Sequence, residues 1–69
     1  MTVVTINGER LELGEPVTVE AAVRAAGATD GRGVAVALDG EVVPRGQWAS
    51  TEVHDGQQVE VLRAVQGGA

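Results

Sequence analysis

Val3-Val4-Thr5-Ile6-Asn7-Gly8-Glu9-Arg10-Leu11-Glu12-Leu13 is the stretch on which the fold turns. Its first four residues are β-branched and suit a pleated, half-buried strand. Asn7-Gly8 follows at once, and both residues tolerate positive φ, as a type I′ hairpin turn requires. Arg10 to Leu13 then alternates polar and apolar. Such alternation places Leu11 and Leu13 on one face of a returning strand. Val4 and Ile6 are the matching inward pair across the hairpin.

Beyond the hairpin, Gly14-Glu15-Pro16 interrupts the strand pattern. Thr18 is placed to N-cap a helix over Val19 to Ala26. Val19, Ala22, Val23 and Ala26 recur at helical spacing and form one apolar stripe. Glu20 and Arg24, four apart on the other face, are in the favourable order for an ion pair. Gly27 is a natural stop. So short a helix does not persist alone and must rest on the hairpin.

Ala28 to Gly33 is a connector by composition; its Gly-Arg-Gly fits neither a Walker loop nor a dinucleotide fingerprint. Val34 to Leu38 is a third strand with Val34, Val36 and Leu38 inward. Asp39-Gly40 turns the chain, and Glu41-Val42-Val43 returns as a short strand that Pro44 ends or confines to an edge. Arg45 to Thr51 lacks a period and covers an open end of the core. His54-Asp55-Gly56 is a turn, and Val59 to Val65 is the last strand. Strands gathered around one helix argue an α+β layer pair, with a mixed sheet of about four to five strands. The first and last strands are the most apolar. They belong side by side in the sheet centre, running parallel, so that the C-terminus leaves at one end of the sheet. Residues 1–65 form the domain, and residues 66–69 form a flexible tail.

Sixty-nine residues hold one domain near the lower limit for a self-sufficient core. No cysteine is present, so disulfides and thiolate zinc sites are excluded, and a single histidine builds no histidine-rich metal site. The core is therefore aliphatic. Ten acidic residues against five basic ones, a net charge of -5, argue against nucleic acid as a partner and are compatible with docking onto basic protein surfaces. No lysine occurs, so no side-chain amine can accept an isopeptide bond. The N-terminal residues lack a signal-peptide pattern and no apolar run approaches membrane-spanning length, which points to the cytoplasm.

Few residues offer chemistry. His54 beside Asp55 reads as a solvated loop histidine, because turn neighbours do not form a catalytic triad. Glu9 and Glu12 read as a solvated hairpin face. Trp48 reads as the plug of a core otherwise without aromatics, and a binding role for it is the weaker alternative. In the last strand neither parity is purely apolar. Either a bulge shifts the register near Leu62, or Leu62 lies on the outer sheet face as an apolar spot for a partner, with Val65 and Gln66 beside it. At the end stands Gln66-Gly67-Gly68-Ala69. Without a Cβ, Gly67 and Gly68 make a thin terminus able to enter a narrow slot. A main-chain carboxylate there becomes an electrophile once adenylated. With no enclosing pocket expected in so small a chain, the protein reads as a non-enzyme.

The sequence resembles the ThiS family of small sulfur carriers over essentially its whole length. Ile6-Asn7-Gly8-Glu9, Val17-Thr18-Val19, Val34-Ala35-Val36 and Asp55-Gly56 carry the likeness. More specific is Asp39-Gly40-Glu41-Val42-Val43-Pro44-Arg45-Gly46-Gln47-Trp48-Ala49, and Gly67-Gly68 completes it. The diglycine alone would also fit molybdopterin-type carriers or ubiquitin.

That resemblance implies a β-grasp, ubiquitin-like fold. It implies that an E1-like adenylating enzyme of the ThiF/MoeB type activates the Gly68 carboxylate. Sulfur from a cysteine desulfurase or rhodanese donor then makes a thiocarboxylate. A thiazole synthase of the ThiG type, or another sulfur-accepting synthase, takes the sulfur, with the thiamine thiazole as the product. ATP, magnesium and zinc belong to the partner, and the carrier itself needs no cofactor. Members usually end at the second glycine. Ala69 therefore implies a precursor trimmed by a peptidase, or a residue foreign to the natural chain. Other classes remain open: the same carrier feeding secondary-metabolite or molybdopterin sulfur insertion, a ubiquitin-like modifier, or a plain interaction domain.

Overall fold

The structure, a computed structural model, describes residues 1–27 and 33–63. Strands β1 (Thr2–Ile6) and β2 (Glu9–Leu13) form the opening hairpin, paired from Thr2↔Leu13 to Ile6↔Glu9. Asn7 at φ 51° and Gly8 at φ 83° make its turn, both in the left-handed region that type I′ demands. After the short strand β3 (Val17–Thr18) comes helix α1 (Val19–Ala25). Strand β4 (Val34–Leu38) turns through Asp39 (φ 48°) and Gly40 (φ 86°) into β5 (Glu41–Val42). A 3-10 turn over Arg45–Gln47, strand β6 (Glu52–Val53) and strand β7 (Gln58–Arg63) complete the chain as described.

The five-stranded sheet has the order β2-β1-β7-β4-β5. Its centre is β7, parallel to β1 and antiparallel to β4. The parallel central pair expected from the most apolar strands is therefore present. One face of the sheet carries the core: Val4, Ile6, Val36, Val59 and Val61 meet Val19, Ala22 and Val23 of α1. Leu11, Leu13, Val34 and Leu38 are partly buried against that cluster. Burial on this face is the main stabilising term, and it also holds a helix too short to stand alone.

Trp48 is 5% exposed and closes one end of the core. Its indole Nε1–H donates to the Val43 carbonyl at 2.9 Å, and the Arg45 guanidinium lies 6.0 Å from its ring centroid. Burial of the ring with its one polar atom satisfied is the plug role expected of it. The same segment caps the helix. Val19 N–H donates to the Thr51 carbonyl at 2.9 Å and Glu20 N–H to the Trp48 carbonyl at 3.1 Å. Thr18 Oγ1 accepts from Ala21 N–H at 3.1 Å. Three of the donors that a helix start leaves unpaired are thus satisfied.

Four points differ from the sequence reading. A second, two-stranded sheet joins β3 to β6 through Val17↔Val53 and Thr18↔Glu52; two-residue strands are too short to show a period. Ala26 is exposed and serves as the C-cap, so the apolar stripe stops at Val23. Among the described residues Glu20 and Arg24 make no ion pair, in keeping with the small gain of a solvated pair over water. The last strand starts at Gln58, one residue early, and Val65 lies outside the described residues.

Candidate functional site

β7 leads to the diglycine, so its two ends define the site. Its first residues are held by acceptors. Asp39 Oδ1 accepts from Gln58 N–H at 2.9 Å, and Oδ2 accepts from Gln57 Nε2–H at 2.9 Å. Asp39 N–H in turn donates to the Gln58 carbonyl at 2.8 Å. The Gln58 main-chain bond first, then the Gln57 side chain, holds the Asp39 carboxyl below its ordinary value. Asp55 Oδ1 accepts from Val3 N–H at 2.7 Å and ties the preceding turn to β1.

The far end is held differently. Only Thr5↔Gln58 and Ile6↔Val59 pair β1 with β7. The Asn7 side chain extends that ladder: Nδ2–H donates to the Val61 carbonyl at 3.0 Å, and Oδ1 accepts from Val61 N–H at 2.7 Å. One carboxamide thereby imitates a strand residue while its own backbone makes the turn. The sequence assigns Asn7 to the turn and gives no sign of this clamp. Arg63, the last described residue of β7, reaches the helix: Nη2–H donates to the Gly27 carbonyl at 2.8 Å. Gly27 follows the Ala26 C-cap of α1, and a cation close to that end of the helix is favoured by its dipole. This explains the mixed parity of the strand. Arg63 points to the core side, but beyond the core's edge, where it caps the helix.

No bulge interrupts β7. Its register against β4 runs unbroken from Leu38↔Val59 to Val34↔Arg63, with Ala35 opposite Leu62. Leu62 therefore lies on the outer face, 67% exposed. Val42, 77% exposed, shares that face through its pairing with Ala37, which faces Glu60. Leu62, Ala35, Ala37 and Val42 form an apolar surface along the exit of β7, crossed by one carboxylate. Of the residues expected to dock a partner or carry the chemistry, Leu62 is the one that can be placed. Val65, Gln66, Gly67 and Gly68 lie outside the described residues.

This surface can dock a partner, but it holds no nucleophile. An open groove of about 590 Å³ lies at the opposite end, lined by Thr2, Glu15, Pro16, Val17 and residues 52–55. His54 there is exposed, 4.0 Å from Glu52, and lacks the buried, oriented setting of a general base. Among the described residues no cluster of three metal-binding side chains exists, and no helix is long and apolar enough to cross a membrane.

Comparison with known proteins closes the question of kinship. The ThiS family profile matches residues 2–68. The crystal structure of the thiamine biosynthesis protein ThiS from Geobacter metallireducens superimposes with a TM-score of 0.78 at 32% identity, covering 97% of this chain and all of that one. An NMR solution structure of a thiamine biosynthesis protein from the same organism gives 0.78 at 31% identity, covering 99% and 90%. A thiazole synthase of Paramagnetospirillum magneticum is 38% identical over 64 residues, 93% of this chain. The chain spans 19% of that longer protein. The β-grasp architecture, the matched length and the identity agree: the chain belongs to the ThiS family.

Proposed function

We propose that this protein is a sulfur carrier whose working group is the Gly68 main-chain carboxylate, with the thiamine thiazole as the destination of the sulfur. The observation that carries the proposal is the extent of the family match, which runs through the whole domain and stops on Gly68, leaving Ala69 outside. The β-grasp domain, residues 1–65, is then the handle, and Gln66, Gly67 and Gly68, once Ala69 is removed from the 66–69 tail, are the part that enters a partner's active site. Whatever follows Gly68, beginning with Ala69, has to be cleaved before the carboxylate is free.

The chemistry follows from the poor electrophilicity of a carboxylate. A carboxylate oxygen attacks the α-phosphorus of ATP on an E1-like adenylating enzyme, and pyrophosphate leaves. Hydrosulfide sulfur then attacks the acyl carbon, and AMP leaves with the bonding pair. The product is a thiocarboxylate, a soft nucleophile ready for transfer. The carrier contributes a thin tail and a docking surface, here Leu62 with Val65 and Gln66. A thiazole synthase as acceptor is supported by the thiazole synthase of P. magneticum, which contains a segment similar to this chain.

The test is intact mass after incubation of a version ending at Gly68 with a ThiF-type adenylating enzyme, ATP and sulfide. Exchange of one oxygen for sulfur is the expected result. Covalent adducts on other proteins would favour a ubiquitin-like modifier, and an unchanged mass would overturn both readings. Gly68→Ala keeps the fold and impairs activation, because its methyl group must enter the slot. Leu62→Ser, at a largely exposed position, raises the KM of the adenylating enzyme for the carrier by about ten-fold if the apolar surface docks it.

A further inference from the structure

The edge strand β2 is not accounted for by the carrier reading. One side of it pairs with β1, and no strand covers the other side among the described residues. Which of its main-chain groups face outward follows from β1. Thr5 N–H is turned toward the other neighbour, donating to the Gln57 carbonyl at 3.1 Å. Val3 likewise turns away from β2, its N–H to Asp55 and its carbonyl to Gly56 N–H at 2.8 Å. Arg10 stands opposite Thr5 and Glu12 opposite Val3. In an antiparallel ladder those two residues therefore aim their N–H and C=O groups at the free edge. Leu11 between them turns its main chain inward. Leu11 and Leu13 are only partly buried, at the rim of the core.

This edge is self-complementary. We propose that β2 pairs with β2 of a second copy, antiparallel, about a two-fold axis at Leu11. All five residues, Glu9 to Leu13, then find partners. Arg10 faces Glu12 of the partner subunit on the outer sheet face, and the reciprocal pair closes the symmetry. Each such pair also exchanges two main-chain hydrogen bonds. Leu11 meets its own copy in the close, non-hydrogen-bonded position, which covers the exposed rim of both cores. Charge selects this register: a slip that sets Arg10 against Arg10 or Glu12 against Glu12 is repulsive. Within the protomer neither side chain has a hydrogen bond or ion pair among the described residues, so both are available. Pairing through β2 leaves Leu62 and the exit of β7 uncovered, because β1 lies between them.

A five-residue pairing is small, so the dimer is expected to be weak, forming at about millimolar protein. Sedimentation equilibrium and NMR of the full chain over a dilution series test it. The expected result is a monomer–dimer equilibrium in which the amides of Arg10 and Glu12 shift with concentration. Arg10→Glu and Glu12→Arg each weaken self-association about ten-fold or more, and an equimolar mixture of the two variants restores it as a heterodimer. Arg24→Glu, on the exposed face of α1, changes net charge as Arg10→Glu does and leaves association unchanged. A monomer at millimolar concentration overturns the proposal. So does a dimer insensitive to Arg10→Glu, or one whose Arg10 and Glu12 amides do not respond to dilution.

Discussion

Asn7-Gly8 and Asp39-Gly40 are one turn used twice, with different side chains doing different work. Both pairs have positive φ at each residue, and both close a hairpin at an end of β7. In each, the first residue reaches across to β7. Asn7 grips Val61, where the strand leaves, and Asp39 grips Gln58, where it begins. The carboxamide gives one hydrogen bond and takes one, so it replaces a missing strand neighbour in a partly buried position. The carboxylate can only accept, and it does so in the open from Gln57 and Gln58. The turn requirement admits Asn, Asp or Gly alike. What chooses between them is the polarity of the main chain each must meet. The exit of β7 is thereby fixed by a neutral group, and its start by a charged one that protons can reach.

Substitutions at the two turns separate these roles. The largest effect sets the scale: Ile6→Ala, beside the first turn and 4% exposed, empties part of the core and costs about 2–5 kcal/mol. Urea unfolding measures it. Next is Asn7→Gly, which preserves the turn and deletes both bonds to Val61. Leaving that N–H and C=O without partners costs about 1–3 kcal/mol, and the Val61 amide exchanges faster with solvent. Asp39→Gly makes the parallel deletion in the open, where water replaces the carboxylate, and costs less. Equal losses at the two turns would refute the distinction.

Acid titration sharpens the same contrast. The folded Asp39 carboxyl is held below its ordinary value, so the folded state binds its proton less readily than the unfolded chain does. Its contribution is complete above the unfolded value, about 3.9. It is lost as pH falls from there through the lowered folded value. Asp39→Asn removes this part of the acid dependence, while Asn7→Gly leaves the shape of the stability–pH curve unchanged. Thermal unfolding across pH 2–6 reads both.

How much was legible follows the range of each interaction. The hairpins, the helix with its Thr18 cap and the Trp48 plug are stated by local pattern, and the parallel central pair, though long-range, follows from the apolar character of the first and last strands. For Leu62 the sequence leaves two positions open, since alternation cannot distinguish a bulge from an outward leucine; the unbroken β4–β7 register decides it. The Asn7–Val61 clamp joins residues 54 apart, and nothing in either segment announces the other. The β3–β6 pair is hidden for a different reason, its strands being two residues long. The terminus proposed as reactive is legible only through kinship. Diglycine is a weak signal alone, and the fold hosts many functions.

The smallest expected effect concerns the residue that disturbed the strand pattern. Arg63 lies at the same end of β7 as the Asn7 clamp, but it is exposed, and its bond to the Gly27 carbonyl is a surface contact. Arg63→Met keeps the aliphatic stem and removes the charge, so the cost is confined to the helix-end interaction, about 0.3–1 kcal/mol. Global unfolding will scarcely register it. Amide exchange at Ala26 and Gly27 will, because the last turn of α1 loses its cation while the β7 ladder keeps its Asn7 clamp. If Val61 exchange rises together with that of Gly27, the two devices form one cooperative unit at the exit. If Gly27 alone responds, the strand leading to Gly68 is held by the carboxamide, and Arg63 serves the helix.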